Sequence, residues 1–377
     1  MANVQQREHV FVATLPGLEP ALVMEAEARG LSPQRVEGGV ELVGPSGLHQ
    51  EANLHLRTAS RVWLRVGRFT APDAGALVKG LAALPLGAVW EGRGAPRLAV
   101  SLHGARLPGP DAVLAAAARA WGVPAVERAG ALDEDAAGEG LTLLVRVEGT
   151  QCTVSAETSG EALHRRGYRQ EVSRAPLRET LAAGILLLAG YDGAAPLVDP
   201  MCGSGTFLIE GAWMAQRRAP GLARAFAFER FPGFVAAEWE ARRARAQAAA
   251  LSAPPEGPRG YDLNAGSLGT ARRNARRAGV TLTLERQDAR TLQAPPGAPG
   301  WVVANPPYGK RVGEGEDLPG LYRALGRTLR ESFVGWHAAL LVPDEPALVR
   351  ALELPGARSL PLRNGGLRCR LLLRAPP

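Results

Sequence analysis

Pro196-Leu-Val-Asp-Pro-Met-Cys-Gly-Ser-Gly-Thr-Phe-Leu-Ile-Glu210 is the stretch on which the reading of this chain turns. Leu197 and Val198 form a short apolar run suited to a strand, and the run ends on an acid, Asp199. Gly203 and Gly205 then allow a tight turn, and the residues from Thr206 onward carry apolar positions at helical spacing. Strand, glycine turn and helix together bring backbone N–H groups to a ligand at a helix N-terminus. The dinucleotide pattern G-x-G-x-x-G fails at its third glycine, where Leu208 stands. No Gly-Lys-Ser/Thr comes after it, which excludes a P-loop.

About a hundred residues further on lies a second stretch, Trp301-Val-Val-Ala-Asn-Pro-Pro-Tyr-Gly309. Pro306 and Pro307 lack N–H groups and hold φ near about −65°, so the chain is expected to leave its strand as a stiff, extended arm. The Asn305 side-chain carbonyl and the Pro306 backbone carbonyl can then accept from one NH₂ group. That pairing draws nitrogen lone-pair density out of an aromatic ring and toward an electrophile, while Tyr308 can stack on the base face. A planar exocyclic amine is a poor nucleophile, and it needs orientation and electrostatic positioning more than a strong base.

Between the two stretches, strand and helix alternate from about residue 180 to 345, the pattern of a parallel doubly wound sheet. Ligands in such sheets lie outside the carboxyl ends of the strands. Asp199, Asp262, Asp288 and Asn305 all come directly after predicted strands or close to their ends. An acid at the second strand end commonly takes ribose hydroxyls, and it usually comes roughly 20 residues after the glycines. Asp262 is much farther away, so Gly211–Pro258, read as a long and interrupted helical passage, must be an insertion. Asp288 is placed to accept from the exocyclic amine of adenine.

Upstream, the spacing predicts strands at His9–Thr14, Val36–Val43 and Arg61–Phe69, with helices at Leu18–Arg29 and His49–Thr58, as in a small α+β sandwich. A second unit comes next, with helices at Asp73–Leu84 and Pro110–Trp121. Its strands are Leu98–His103 and the hairpin Leu141–Val147/Gln151–Ala156, and Glu127–Gly140 is a polar loop. His103 there reads as packing or surface. The segment Ala162–Gln170 has three arginines (Arg165, Arg166, Arg169) and Tyr168 around Gly167. It suits phosphate contact and base stacking, or else a solvated interdomain loop. A helix from Pro176 to Leu188 leads into the glycine turn. The basic helix residues Arg272–Arg277 and the pair Lys310-Arg311 can likewise hold phosphates, or be a solvated face.

With 377 residues, the chain exceeds one ordinary core, so two or three domains are expected. The formal charge of +7 and a pI near 9.9 favour a polyanionic partner. Three scattered cysteines form neither a disulfide framework nor a zinc site, and no metal is expected. The start has no apolar leader and no stretch approaches about 18 apolar residues, so a cytoplasmic protein with reduced thiols and no membrane segment is expected.

Asp199-Pro-Met-Cys-Gly-Ser-Gly-Thr206 and Asn305-Pro-Pro-Tyr-Gly309 resemble motifs I and IV of class I S-adenosylmethionine-dependent amino-methyltransferases. More narrowly, Leu163-His-Arg-Arg-Gly-Tyr-Arg169, Pro176-Leu-Arg-Glu-Thr-Leu-Ala-Ala183, Phe11-Val-Ala-Thr-Leu-Pro-Gly-Leu-Glu19 and Arg218-Ala-Pro-Gly-Leu222 are similar to the THUMP-containing RNA guanine-N2 methyltransferases. The likeness runs nearly end to end and is greatest to the methyltransferase module of the 23S rRNA guanine-N2 enzymes. It implies an α/β fold: a ferredoxin-like segment (1–70), a THUMP RNA-binding domain (71–160) and a Rossmann-like methyltransferase domain (161–377). It also implies S-adenosylmethionine on Asp199, Gly203, Gly205, Asp262 and Asp288, the target amine at Asn305, Pro306, Pro307 and Tyr308, and RNA as partner, with no obligate protein partner evident. Some bacterial relatives carry a second methyltransferase domain; with the chain ending at Pro377, a single catalytic centre is expected. A tRNA-directed branch shares the plan. A DNA adenine-N6 methyltransferase, a non-catalytic RNA-binding assembly factor and a glutamine-directed protein methyltransferase are the other readings. The last is disfavoured by the basic charge and the THUMP-like region.

Overall fold

The computed structural model describes residues 7–130, 140–170, 177–254, 256–308 and 317–376. Pro176, Pro255, Gly309, Lys310, Arg311 and residues 131–139 of the polar loop lie outside the described residues.

Two seven-stranded sheets organise the molecule. The first holds β1 (Glu8–Thr14), β2 (Gln34–Val36), β3 (Gly39–Gly44), β4 (Ala59–Thr70), β5 (Arg97–His103), β6 (Thr142–Glu148) and β7 (Gln151–Glu157), in the order β2-β3-β1-β4-β7-β6-β5. Its helices are α1 (Glu19–Glu27), α2 (Leu48–His55), α3 (Ala74–Ala82) and α4 (Pro110–Trp121). The single strand expected at Val36–Val43 is a hairpin of β2 and β3, because Gly38 takes φ +77° and turns the chain. His103 is at the surface, its Nε2 2.9 Å from Ser101 Oγ.

The two N-terminal units share β4. The first half of this 12-residue strand pairs with β1, from Thr14↔Ala59 to Val10↔Leu64, and its second half pairs with β7, from Trp63↔Glu157 to Thr70↔Gln151. One continuous sheet therefore runs through the boundary expected at residue 70.

The second sheet holds β8 (Leu197–Asp199), β9 (Arg259–Tyr261), β10 (Thr283–Glu285), β11 (Trp301–Ala304), β12 (His337–Pro343), β13 (Arg358–Asn364) and β14 (Leu367–Arg374), in the order β10-β9-β8-β11-β12-β14-β13. The first five are parallel, and β14 is antiparallel to both its neighbours. Its helices are α5 (Glu179–Leu188), α6 (Thr206–Ala215), α7 (Ala236–Ala248), α8 (Ala265–Ala278), α9 (Leu318–Glu331) and the short α10 (Pro346–Ala351), which the sequence reading missed. β12 is buried at every position from Ala338 to Pro343, as a central strand covered on both faces must be.

The passage between α6 and β9 is an insertion, and among its described residues α7 and one 3₁₀ turn, Ala227–Arg230, are what interrupts an irregular course. Phe226, Phe228 and Trp239 from this insertion pack into the core of the N-terminal unit with Val10, Leu22, Leu42 and Val62. Phe228 lies edge-on to Trp239 at 5.0 Å and to His49 at 5.3 Å. In return Leu18 sits in the core of the second sheet, where a Cβ on Gly184 would come within 2.8 Å of its methyl groups.

The arginine-rich linker is part of this interface, which corrects both readings of it, as a phosphate and base contact and as a solvated loop. Arg166 is 2% exposed and faces Glu210 of α6, itself fully buried, at 3.7 Å. Its guanidinium also donates to the carbonyls of Leu163 and Arg57. Tyr168 is buried edge-on against Trp213, and its hydroxyl donates to Glu210 at 3.2 Å. Arg169 faces Glu179 at 3.4 Å. Arg165, Gly167 and Gln170 of the segment face solvent, whereas Arg166 and Tyr168 are buried and Arg169 is half-buried and paired.

Removing one partner of a buried ion pair strands the other. Arg166→Met is expected to cost roughly 3–5 kcal/mol in urea unfolding, and much of that loss should be recovered in R166M/E210L. Equal stability of R166M and the parent chain would overturn this account of the interface.

Candidate active site

β8 lies between β9 and β11, and it is here that the strand order reverses. Such a switch point leaves a crevice beyond the carboxyl ends of the strands. Leu197 pairs with Trp301 and Val198 with Val302, so Asp199 is level with Val303 and Asn305 leaves the same edge of the sheet two residues further on. The crevice is a cavity of about 880 Å³, within the range of small-molecule sites. Asp199, Gly203, Asp262, Asp288, Asn305 and Pro307 contribute to its wall.

The glycine turn has physical reasons at three positions. Gly203 (φ +52°) and Gly205 (φ +82°) take left-handed conformations, and Gly205 opens α6 with no side-chain cap. Gly205 is not part of the cavity wall; its role is conformational, and an added Cβ would press on Ala271 of α8 at 3.2 Å. The glycine missing at position 208 is replaced from across the sheet. A Cβ at Gly260 in β9 would lie 2.4 Å from Leu208, so Gly260 supplies the close helix–strand approach.

Asp262 reaches across from β9 to the turn, accepting from the Gly203 N–H at 2.9 Å and from the Asn264 N–H at 2.8 Å. Asp199 is 2% exposed and accepts from the Met201 N–H at 3.0 Å. Burial, opposed by that bond and reinforced by nearby Asp262, pushes its carboxyl up to about 8. Asp288 is held below the usual carboxylate range by the Arg290 guanidinium, whose Nη2 donates at 2.6 Å.

Asn305 is half-buried at the wall, and its Oδ1 is buried with no hydrogen-bond partner among the described residues. Pro306 is buried and is not part of the cavity wall, whereas Pro307 is. Tyr308 departs from expectation: it is 2% exposed, packs in the core of the sheet, and its hydroxyl accepts from Asn364 Nδ2 at 2.7 Å. In this conformation its ring cannot lie on a base, because it fills core volume rather than the pocket.

Sequence reasoning missed Leu263, which is 52% exposed at the wall, and the far wall formed by Asp317, Gly320 and Leu321 at the start of α9. Leu263 had one available signal, a large apolar residue directly after a strand-end acid. Among the described residues, no cluster of His, Cys, Asp or Glu is arranged to hold a metal, and no helix is long and apolar enough to cross a membrane.

Residues 166–372 match the family model described as RMKL-like, methyltransferase domain. The chain belongs to that family. Residues 9–63 match the model of the RlmL ferredoxin-like domain. The ribosomal RNA large subunit methyltransferase K/L of Stutzerimonas stutzeri is 36% identical, over 97% of this chain and 52% of the relative. That of Methylococcus capsulatus is 38% identical, over 96% of this chain and 50% of the relative. The chain thus spans about half the length of the curated relatives it matches. The solved structure of SMU.472, a candidate methyltransferase complexed with SAH, is 26% identical with a TM-score of 0.84, covering 99% of each chain. The family match and that structure agree with the Rossmann-like catalytic domain and the ferredoxin-like segment read from the sequence.

A buried acid raised to about 8 favours the folded state only while protonated. Its contribution is present below the unfolded value of about 4 and is lost as pH rises through about 8. For the ligand-free protein, the melting temperature of Asp199→Asn minus that of the parent is expected to grow from about pH 5 to about pH 9. Parallel curves would refute the assignment.

Proposed function

We propose that this chain transfers a methyl group from S-adenosylmethionine to the exocyclic N2 of a guanine in RNA, with 23S rRNA as the substrate. The observation that carries the reading is the buried Asn305 Oδ1, without a partner among the described residues, beside a nucleotide-sized crevice. A buried acceptor without a donor costs about 1–3 kcal/mol, and an incoming NH₂ would remove that cost. The names of the relatives support ribosomal RNA, and the SAH complex of the structural relative supports the donor.

The residues present fit that donor. Asp262 and Asp288 offer acceptors at neighbouring strand ends, and the uncapped start of α6 offers backbone donors. When bound, S-adenosylmethionine supplies an electrophilic methyl group on sulfur. Asn305 Oδ1 and the Pro306 carbonyl would hold the two N–H bonds of the target amine and turn its lone pair toward that methyl carbon. As the N–C bond forms and the S–C bond breaks, one N–H proton leaves to water in the crevice. Buried in a duplex, guanine N2 is hard to reach, so an unpaired or flipped base is required.

We assign residues 71–160 as the THUMP RNA-binding domain, residues 1–70 as the ferredoxin-like segment and residues 161–377 as the catalytic domain, acting in the cytoplasm where ribosomal RNA is found. α8 opens at the crevice, and the exposed arginines further along it, such as Arg272 and Arg276, suit phosphate contacts.

The test is methyl transfer from labelled S-adenosylmethionine to separated rRNA and tRNA from cells lacking the protein, with nucleoside analysis of the product. N2-methylguanosine in 23S rRNA is expected. Asn305→Ala should lower turnover by about 10²–10³-fold while leaving cofactor binding intact. Label in tRNA would move the protein to the tRNA-directed branch, N6-methyladenosine would show a different target base, and RNA binding without transfer would favour an assembly factor.

A further inference from the structure

Asn364 is a polar residue in an apolar place. It closes β13, and the side chains that share its face of the strand are Leu360 and Leu362, which both pack into the core of the second sheet. Its neighbours at the tip of the hairpin, Arg363, Gly365 and Leu367, are exposed, whereas Asn364 is 7% exposed. A buried amide costs free energy unless it is hydrogen-bonded. The bond it makes runs to the Tyr308 hydroxyl, at 2.7 Å. A second tyrosine, the fully buried Tyr322, directs its hydroxyl at the Pro307 carbonyl, 3.4 Å away. The last two residues of the Asn-Pro-Pro-Tyr arm are thereby tied at two points, one on the hairpin and one on α9.

We propose that Asn364 is a positioning residue for the catalytic arm. By holding the Tyr308 hydroxyl it pins Tyr308 as an anchor in the core, and the rigid Pro306-Pro307 segment transmits that fixed end to Asn305. Tyr308 on this account works from behind the arm and does not serve as a platform for the base. The two prolines explain why an anchor three residues away matters: with φ locked at both, the arm has few torsions left to absorb a loose end. The proposal builds on the amine-orienting role proposed for Asn305.

Tyr308→Phe keeps the ring and removes one oxygen, and Asn364→Leu removes the donor while keeping the branching and number of side-chain heavy atoms. Each is expected to lower kcat on rRNA from cells lacking the protein by about three- to tenfold, the worth of one hydrogen bond. The KM for RNA and the Kd for S-adenosylmethionine should hold within about twofold, and the double variant should be no worse than the more affected single one. Amide exchange read by mass spectrometry should speed up in residues 302–308 of both variants, and not in the peptide that spans the glycine turn.

Parent-like kcat and exchange in Y308F would overturn the proposal, as would losses that multiply in the double variant. A parent-like Y308F together with a Tyr308→Ala that melts like the parent yet is inactive would mean that the ring stacks on the base. Should N364L fail to fold, Y308F decides alone. If the parent chain transfers no methyl group, the functional reading fails, and the exchange rates still decide whether Asn364 fixes the arm.

Discussion

Two backbone pairings, Leu197 with Trp301 and Val198 with Val302, bring together segments more than a hundred residues apart. Because β8 and β11 are parallel, both end at the same edge of the sheet, and the loops that leave them are forced into one crevice. The glycine turn, Asp199 and the Asn-Pro-Pro-Tyr arm share a site for this reason. β9 and β10 extend the edge on one side and bring Asp262 and Asp288 to it, while α9 closes the other.

Around that edge the chain places acids in contrasting environments. Asp199 is pushed up to about 8 by burial, whereas Asp288, partly exposed beside Arg290, stays ionised and low. Two acids at strand ends of one crevice thus differ in charge near neutral pH because one is desolvated and the other is paired.

A similar economy joins the N-terminal unit to the catalytic one. Glu210 lies one turn beyond the start of α6, the helix that the glycine turn opens, and it is neutralised by Arg166 from the linker. Arg169 on the same linker donates to the Thr206 hydroxyl at 2.5 Å, at the cavity wall. The linker is therefore a buried strut between the first sheet and the helix at the crevice. Aromatic side chains of the insertion complete the joint by filling the N-terminal core. These contacts are chiefly apolar packing, the stronger source of cohesion, and the buried ion pairs chiefly fix its orientation.

Local signals were enough for most of the elements. The boundaries of α4 are those read from its proline start and apolar spacing, since these depend on neighbours a few residues away. The order of acids at strand ends, and with it most of the crevice wall, was legible for the same reason. The tertiary structure was needed for the fate of side chains whose partners are distant in the chain. Arg166, Arg169 and Tyr168 have the composition of an RNA contact, and only their approach to Glu210, Glu179 and Trp213 turns them into core. Tyr308 has the composition of a stacking platform, yet Asn364, 56 residues later, holds its hydroxyl inside. Sequence by itself determined which residues would stand at the strand ends, because backbone periodicity is local. Which way the long polar side chains turn was decided by packing between sheets, because burial and pairing energies belong to contacts that exist only once the chain has folded.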